Sequence, residues 1–81
     1  MTIQLYHRWR CPYSVKVRDF IEANGLKERI DYIELSEAAG AEDDLNALTG
    51  RSQVPCLVVD GEPKLESADI VSWLERNLLK S

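Results

Sequence analysis

The chain has 81 residues, of which 44% are hydrophobic, 30% charged and 7% aromatic. That is enough for one core and no second module, since domains hold about 100–150 residues. Four glycines and three prolines exclude collagen-like and disordered compositions. A net charge of −4 argues against nucleic acid, whose phosphates call for clustered Lys and Arg. No stretch approaches the ~18 apolar residues of a membrane span, and Met1-Thr2-Ile3-Gln4 opens no secretory signal. The expectation is a single domain over 1–81, cytoplasmic and monomeric, binding neither nucleic acid nor membrane.

The charge is uneven. Residues 1–30 carry six basic and three acidic groups, and residues 31–81 carry four basic and eleven acidic groups. The basic excess surrounds Cys11, with Arg8 and Arg10 beside it, a field suited to a small anion rather than a polymer. Two cysteines, Cys11 and Cys56, and one histidine are too few for a disulfide scaffold or a four-ligand zinc site in one chain, so no metal is expected. A redox or nucleophilic role for one thiol is left.

In chain order, Ile3 to His7 reads as a short strand. Cys11-Pro12 starts a helix, because proline in the first turn lacks only an N–H that would be unpaired anyway. Tyr13, Val17, Phe20, Ile21 and Asn24 fall on one face, and Asn24-Gly25 stops the helix. Val15 lies off that stripe. Arg29 to Leu35 reads as a second strand. Glu37 to Leu48 reads as a weaker helix with Glu42, Asp43 and Asp44 suited to its N-terminus, and Gly50 ends it. Pro55 to Asp60 is nearly continuously apolar, as in a strand buried on both faces. Asp60-Gly61 is a hairpin turn into Glu62 to Leu65, where Pro63 cannot donate to a ladder and marks an edge. Ser67 reads as the N-cap of a last helix with a stripe of Ile70, Trp73, Leu74, Asn77 and Leu78. The order β-α-β-α-β-β-α predicts a small α/β domain. Its four-stranded mixed sheet is flanked by helices, with the first two strands parallel and the hairpin antiparallel.

Cys11 is the residue with chemistry to explain. A thiolate at a helix start meets unpaired N–H groups and the positive end of the helix dipole, and the basic flank adds to both, so its pKa should fall below the free value of about 8.5. Cys56, in the most apolar strand, reads as a small buried hydrophobe. Trp73 belongs to the core stripe, whereas Trp9 reads as an exposed surface residue. His7 reads as a polar strand end.

Cys11-Pro12-Tyr13-Ser14 resembles the active-site motif of glutaredoxins in its monothiol form, where serine replaces the second cysteine. Thr49 to Pro55 resembles the segment that ends in a Val-Pro with a cis proline, and Asp60-Gly61 resembles the hairpin after it. Glu66-Ser67 is closer to the Glu-Ser or Gln-Ser pair of glutathione transferase N-terminal domains. The resemblance covers essentially the whole chain and implies the thioredoxin-like fold. It implies glutathione as co-substrate and glutathionylated molecules as partners.

By that resemblance Cys11 is the nucleophile and Ser14 a hydrogen-bond donor to its thiolate. Pro12, Tyr13, Val54 and Pro55 line the tripeptide, with the Val54 backbone pairing with its cysteinyl part. Arg8 stands where glutaredoxins place a cation for the glycyl carboxylate, and Glu66 and Ser67 hold the γ-glutamyl end. Gln53 reads as an ordinary turn residue. The activity implied is glutathione-disulfide oxidoreduction by a monothiol deglutathionylation cycle. The alternatives are iron–sulfur cluster carriage, against which Pro12-Tyr13 speaks, and a non-catalytic glutathione-binding module of transferase N-domain type. A full transferase uses a further helical domain for its second substrate, which a chain ending at Ser81 is expected to lack.

Overall fold

The structure, a computed structural model, describes residues 1–79. Strand β1 spans Ile3–His7, helix α1 Pro12–Ala23, strand β2 Asp31–Glu34, helix α2 Ala41–Thr49, strand β3 Cys56–Val59, strand β4 Glu62–Lys64 and helix α3 Ser67–Leu74. A 3₁₀ turn over Lys27–Arg29 precedes β2, and a π-helical turn over Glu75–Leu79 continues α3. The sheet order is β2-β1-β3-β4. β1 is parallel to β2 with His7 opposite Glu34, and antiparallel to β3 with Leu5 opposite Leu57. β3 and β4 close the hairpin with Val58 opposite Pro63. This is the thioredoxin-like α/β fold.

Two apolar clusters follow from the alternation of β1 and β3. Ile3, Leu5 and Leu57 meet Val17 and Ile21 of α1 and Ile70 and Leu74 of α3 on one face. Tyr6, Cys56 and Val58 meet Ala41 and Leu45 of α2 on the other. Burying each large side chain contributes about 1.5–3 kcal/mol, which is how so short a chain sustains a core. Among the described residues no helix is long and apolar enough to cross a membrane.

The elements depart from the sequence expectations at identifiable places. The buried stripe of α1 is Ser14, Val17, Arg18 and Ile21, with Phe20 only half-buried and Tyr13 65% exposed. It is rotated by about one residue because two polar side chains, Ser14 and Arg18, find partners beneath the helix. β2 starts at Asp31, after the 3₁₀ turn, and α2 starts at Ala41, after Gly40 at φ 78°. Ser67 is the first residue of α3 and Glu66 the capping position, without a side-chain cap hydrogen bond. Asn77 is exposed, its amide turned back onto the Trp73 carbonyl at 2.8 Å.

The β3–β4 turn requires left-handed backbone at both central positions, Asp60 at φ 49° and Gly61 at φ 88°. A Cβ at Gly61 would have nothing within 4 Å, so a substitution there meets only the backbone penalty. Gly61→Ala is expected to lower stability by about 1–2 kcal/mol, read as a reduced urea midpoint at unchanged slope.

Candidate functional site

β1 runs into the loop 8–10, and α1 begins soon after it, so Cys11 occupies the N-cap of α1. Its carbonyl accepts the Val15 N–H at 2.9 Å as the first helical bond, and its N–H donates to the Arg8 carbonyl at 3.2 Å. The thiol is partly exposed and lies 3.9 Å from the Val54 carbonyl. The Val54–Pro55 bond is cis, as the resemblance implied. Partial burial pushes the Cys11 pKa up. The N–H and hydroxyl of Ser14, the N–H of Tyr13 and the charge of Arg18 outweigh it, and the thiol is held below its ordinary value. The shift raises the share of the thiolate, the nucleophilic form of the thiol.

The cation that acts on Cys11 is Arg18, rather than the expected Arg8 and Arg10. Arg8 instead faces Glu42 at 3.9 Å, both side chains about half-exposed, a contact worth at most about 1 kcal/mol. Arg10 is exposed. Arg18 reaches under the loop and donates to the Arg8 carbonyl at 3.1 Å and to the Trp9 carbonyl at 3.0 Å. Its Nη1 also lies 2.9 Å from His7 Nδ1, and its guanidinium stacks 4.8 Å from the Trp9 ring centre.

His7 is the last residue of β1, as its reading as a polar strand end expected, and it is fully buried. Burial first, then Arg18, lowers its pKa against the opposing effects of Glu34 and Glu37, so Nδ1 accepts from Arg18 and Nε2 carries the proton. Nε2 has no hydrogen-bond partner among the described residues. Ser14 is also fully buried, and its hydroxyl accepts the Arg8 N–H at 3.4 Å.

Glu34 holds the loop from the other side. Its carboxylate accepts the Trp9 N–H at 3.0 Å and both the N–H and hydroxyl of Ser36. The Ser36 hydroxyl foremost, then the Trp9 N–H and the Ser36 N–H, hold its pKa down to about 2 against the effect of burial. Trp9 remains half-exposed, yet its indole is fixed. Nε1 donates to Glu37 at 2.8 Å, and the ring meets His7 edge-on at 4.7 Å.

Beyond the Val54 carbonyl opens a groove of about 210 Å³ lined by Tyr13, Gln53, Val54, Pro55, Leu65, Glu66 and Ser67. It unites the loop before β3, the end of the β4 hairpin and the start of α3 with the first turn of α1. Of the residues singled out in the sequence, Tyr13, Val54, Pro55, Glu66 and Ser67 meet here, with Cys11 adjoining at Val54. Pro12, Ser14 and Arg8 are not in its walls. Gln53 and Leu65 are, and neither carried a sequence signal beyond adjacency to Val54 and Glu66. A larger recess of about 470 Å³ follows Leu35 to Asp43. It contains neither thiol, so the groove beside Cys11 is the candidate site. Cys56 is fully buried, burial pushes its pKa up, and both cysteines are free. Among the described residues no group of three or more His, Cys, Asp or Glu is placed to hold a metal ion.

A partly exposed thiol at the start of the first helix, beside a Val–cis-Pro turn in a thioredoxin-like fold, defines a thioredoxin-fold thiol protein. Residues 10–77 match the family model described as glutathione S-transferase, N-terminal domain, and the chain belongs to that family. Among solved structures it is similar to a diazinon-metabolizing glutathione S-transferase of the silkworm Bombyx mori (TM-score 0.77, 22% identity), covering 96% of this chain and 39% of that one. It is similar to glutathione transferase Omega 3C of Trametes versicolor (TM-score 0.80, 21% identity), covering 99% of this chain and 35% of that one. It is also similar to an E. coli glutaredoxin (TM-score 0.64, 27% identity), covering 99% and 100%. The chain thus spans less than two-fifths of the length of those two transferases and the full length of the glutaredoxin. No curated protein matches its sequence.

The Glu34 carboxylate has a folded-state pKa near 2 against an ordinary 4.5. Its depression stabilises the fold fully above pH 4.5, and that contribution is lost as pH falls toward 2. Glu34→Gln is therefore expected to flatten the acid limb of stability. The difference in thermal midpoint between native and variant should be largest at pH 7 and shrink on acidification to pH 2.5.

Proposed function

We propose that the protein is a glutathione-dependent thiol-disulfide oxidoreductase that works through Cys11 alone, as a monomer in the cytoplasm. The observation that carries the reading is the Cys11 thiolate, stabilised at the N-cap of α1 and opening through the Val54 carbonyl onto the groove that ends at Glu66 and Ser67.

Glutathione lies along that groove. Its cysteinyl backbone pairs with Val54 in the manner of an added strand, its body rests on Pro12, Tyr13 and Pro55, and its sulfur faces Cys11. The γ-glutamyl carboxylate meets the N–H groups at Ser67, at the start of α3, while its ammonium pairs with Glu66. Arg8 exchanges its weak contact with Glu42 for a bidentate pairing with the glycyl carboxylate.

The Cys11 thiolate attacks the glutathione sulfur of a mixed disulfide. The Cys11–glutathione bond forms as the substrate's sulfur–sulfur bond breaks, and the substrate leaves as a thiolate that takes a proton from water. A second glutathione thiolate then attacks the glutathione sulfur on Cys11, releasing glutathione disulfide and restoring Cys11. Ser14 cannot form an internal disulfide, so this second glutathione is required. Its N–H and hydroxyl stabilise Cys11 as both attacking and leaving thiolate.

A second reading follows from the family match and the length of the solved transferases: the same glutathione groove as the first part of a transferase, with conjugation to an electrophile as its chemistry. Turnover of a small glutathione mixed disulfide, coupled to glutathione reductase, tests the two against conjugation of an aryl halide. The expected result is disulfide turnover that Cys11→Ser abolishes and Cys56→Ser leaves intact. Conjugation without disulfide turnover would select the second reading, and neither activity from folded protein would sink both.

A further inference from the structure

Arg18 is 8% exposed, and guanidinium groups are almost never so buried unless paired. Its hydrogen-bonding partners are not carboxylates. They are the carbonyls of Arg8 and Trp9 and the ring nitrogen of His7, all in the segment that carries β1 into Cys11. The Arg8 carbonyl is the same oxygen that receives the Cys11 N–H. The Arg8–Trp9 peptide is gripped at both ends, its carbonyl by Arg18 of α1 and its N–H by Glu34 of β2, and Arg18 also holds the next carbonyl, that of Trp9. One planar fork thus spans two successive carbonyls in a fixed geometry that the freely rotating ammonium of a lysine does not impose.

We infer that Arg18 is a positioning residue for Cys11: its fork fixes the Arg8 and Trp9 carbonyls, and with them the backbone that sets Cys11 against the N–H groups of Tyr13 and Ser14. From beneath the loop its charge stabilises the thiolate where water screens it little. The inference rests on Cys11 being the reacting thiol of the proposed function, though not on the identity of its substrate.

The test is the pH dependence of Cys11 alkylation by iodoacetamide, followed at the Cys11 peptide by mass spectrometry and needing no glutathione. Arg18→Gln is expected to move the midpoint upward by about one pH unit, and Arg18→Lys to bring it partway back. Arg10→Gln should leave it in place. A role confined to folding would lower the melting temperature without moving the midpoint, so an unmoved midpoint in folded Arg18→Gln overturns the inference. Should circular dichroism show Arg18→Gln unfolded, Arg18→Lys decides: a midpoint above the native one supports the positioning role, and an equal one overturns it. Mixed-disulfide turnover measured on the same samples separates the two claims. A native protein without turnover but with an Arg18-dependent midpoint removes the oxidoreductase reading alone, whereas turnover with an unmoved midpoint removes the inference alone.

Discussion

The peptide unit between Arg8 and Trp9 is the point on which the site depends. Buried Glu34 holds its N–H, that of Trp9, and buried Arg18 holds its carbonyl, that of Arg8, so two opposite charges from different elements meet across a neutral backbone group instead of each other. Charge-assisted hydrogen bonds are roughly twice as strong as neutral ones, and each ion here is solvated by peptide dipoles in place of water. The parallel register of β1 and β2, with His7 opposite Glu34, brings the carboxylate there. The helical phase of α1, with Arg18 one turn beyond Ser14, brings the guanidinium. Sheet and helix geometry are thereby converted into the position of one sulfur.

The placement also accounts for an economy of charge. The chain is acidic overall, and a thiolate would be disfavoured in its average field. The environment of Cys11 is instead composed of N–H groups at a helix start, a serine hydroxyl and one cation held out of solvent. The groove beside Cys11 is built largely from neutral surfaces, with Glu66 the one charged residue among the described residues that line it.

Much of this was legible in the sequence where the signals are local. Pro12 after Cys11 marks a helix start whatever surrounds it, Asp60-Gly61 specifies a left-handed turn, and Pro63 keeps β4 at the edge of the sheet. Tyr13, Val54, Pro55, Glu66 and Ser67 were singled out by resemblance and do share one groove. Arg18, Glu34 and buried His7 were not legible, because each is polar and is held by partners distant in the chain, to which Glu34 adds its neighbour Ser36. A hydropathy stripe assigns such residues to solvent, which is why the face of α1 was placed about one residue away. The trace that could have found Arg18 is its spacing, four residues from Ser14 and three from Ile21 on the face beneath the active-site turn.

Cys56 has a consequence of a different kind. It lies in β3 with no exposed surface, opposite Tyr6 of β1 and packed into the cluster that faces α2. No reagent reaches its sulfur while β3 stays paired, so labelling at Cys56 counts the openings of the sheet itself. In the regime where closing outruns labelling, its rate gives the equilibrium population of the opened form. The molecule therefore carries two thiol gauges in one chain: Cys11 reports the chemistry of the folded surface, and Cys56 reports how often that surface ceases to exist.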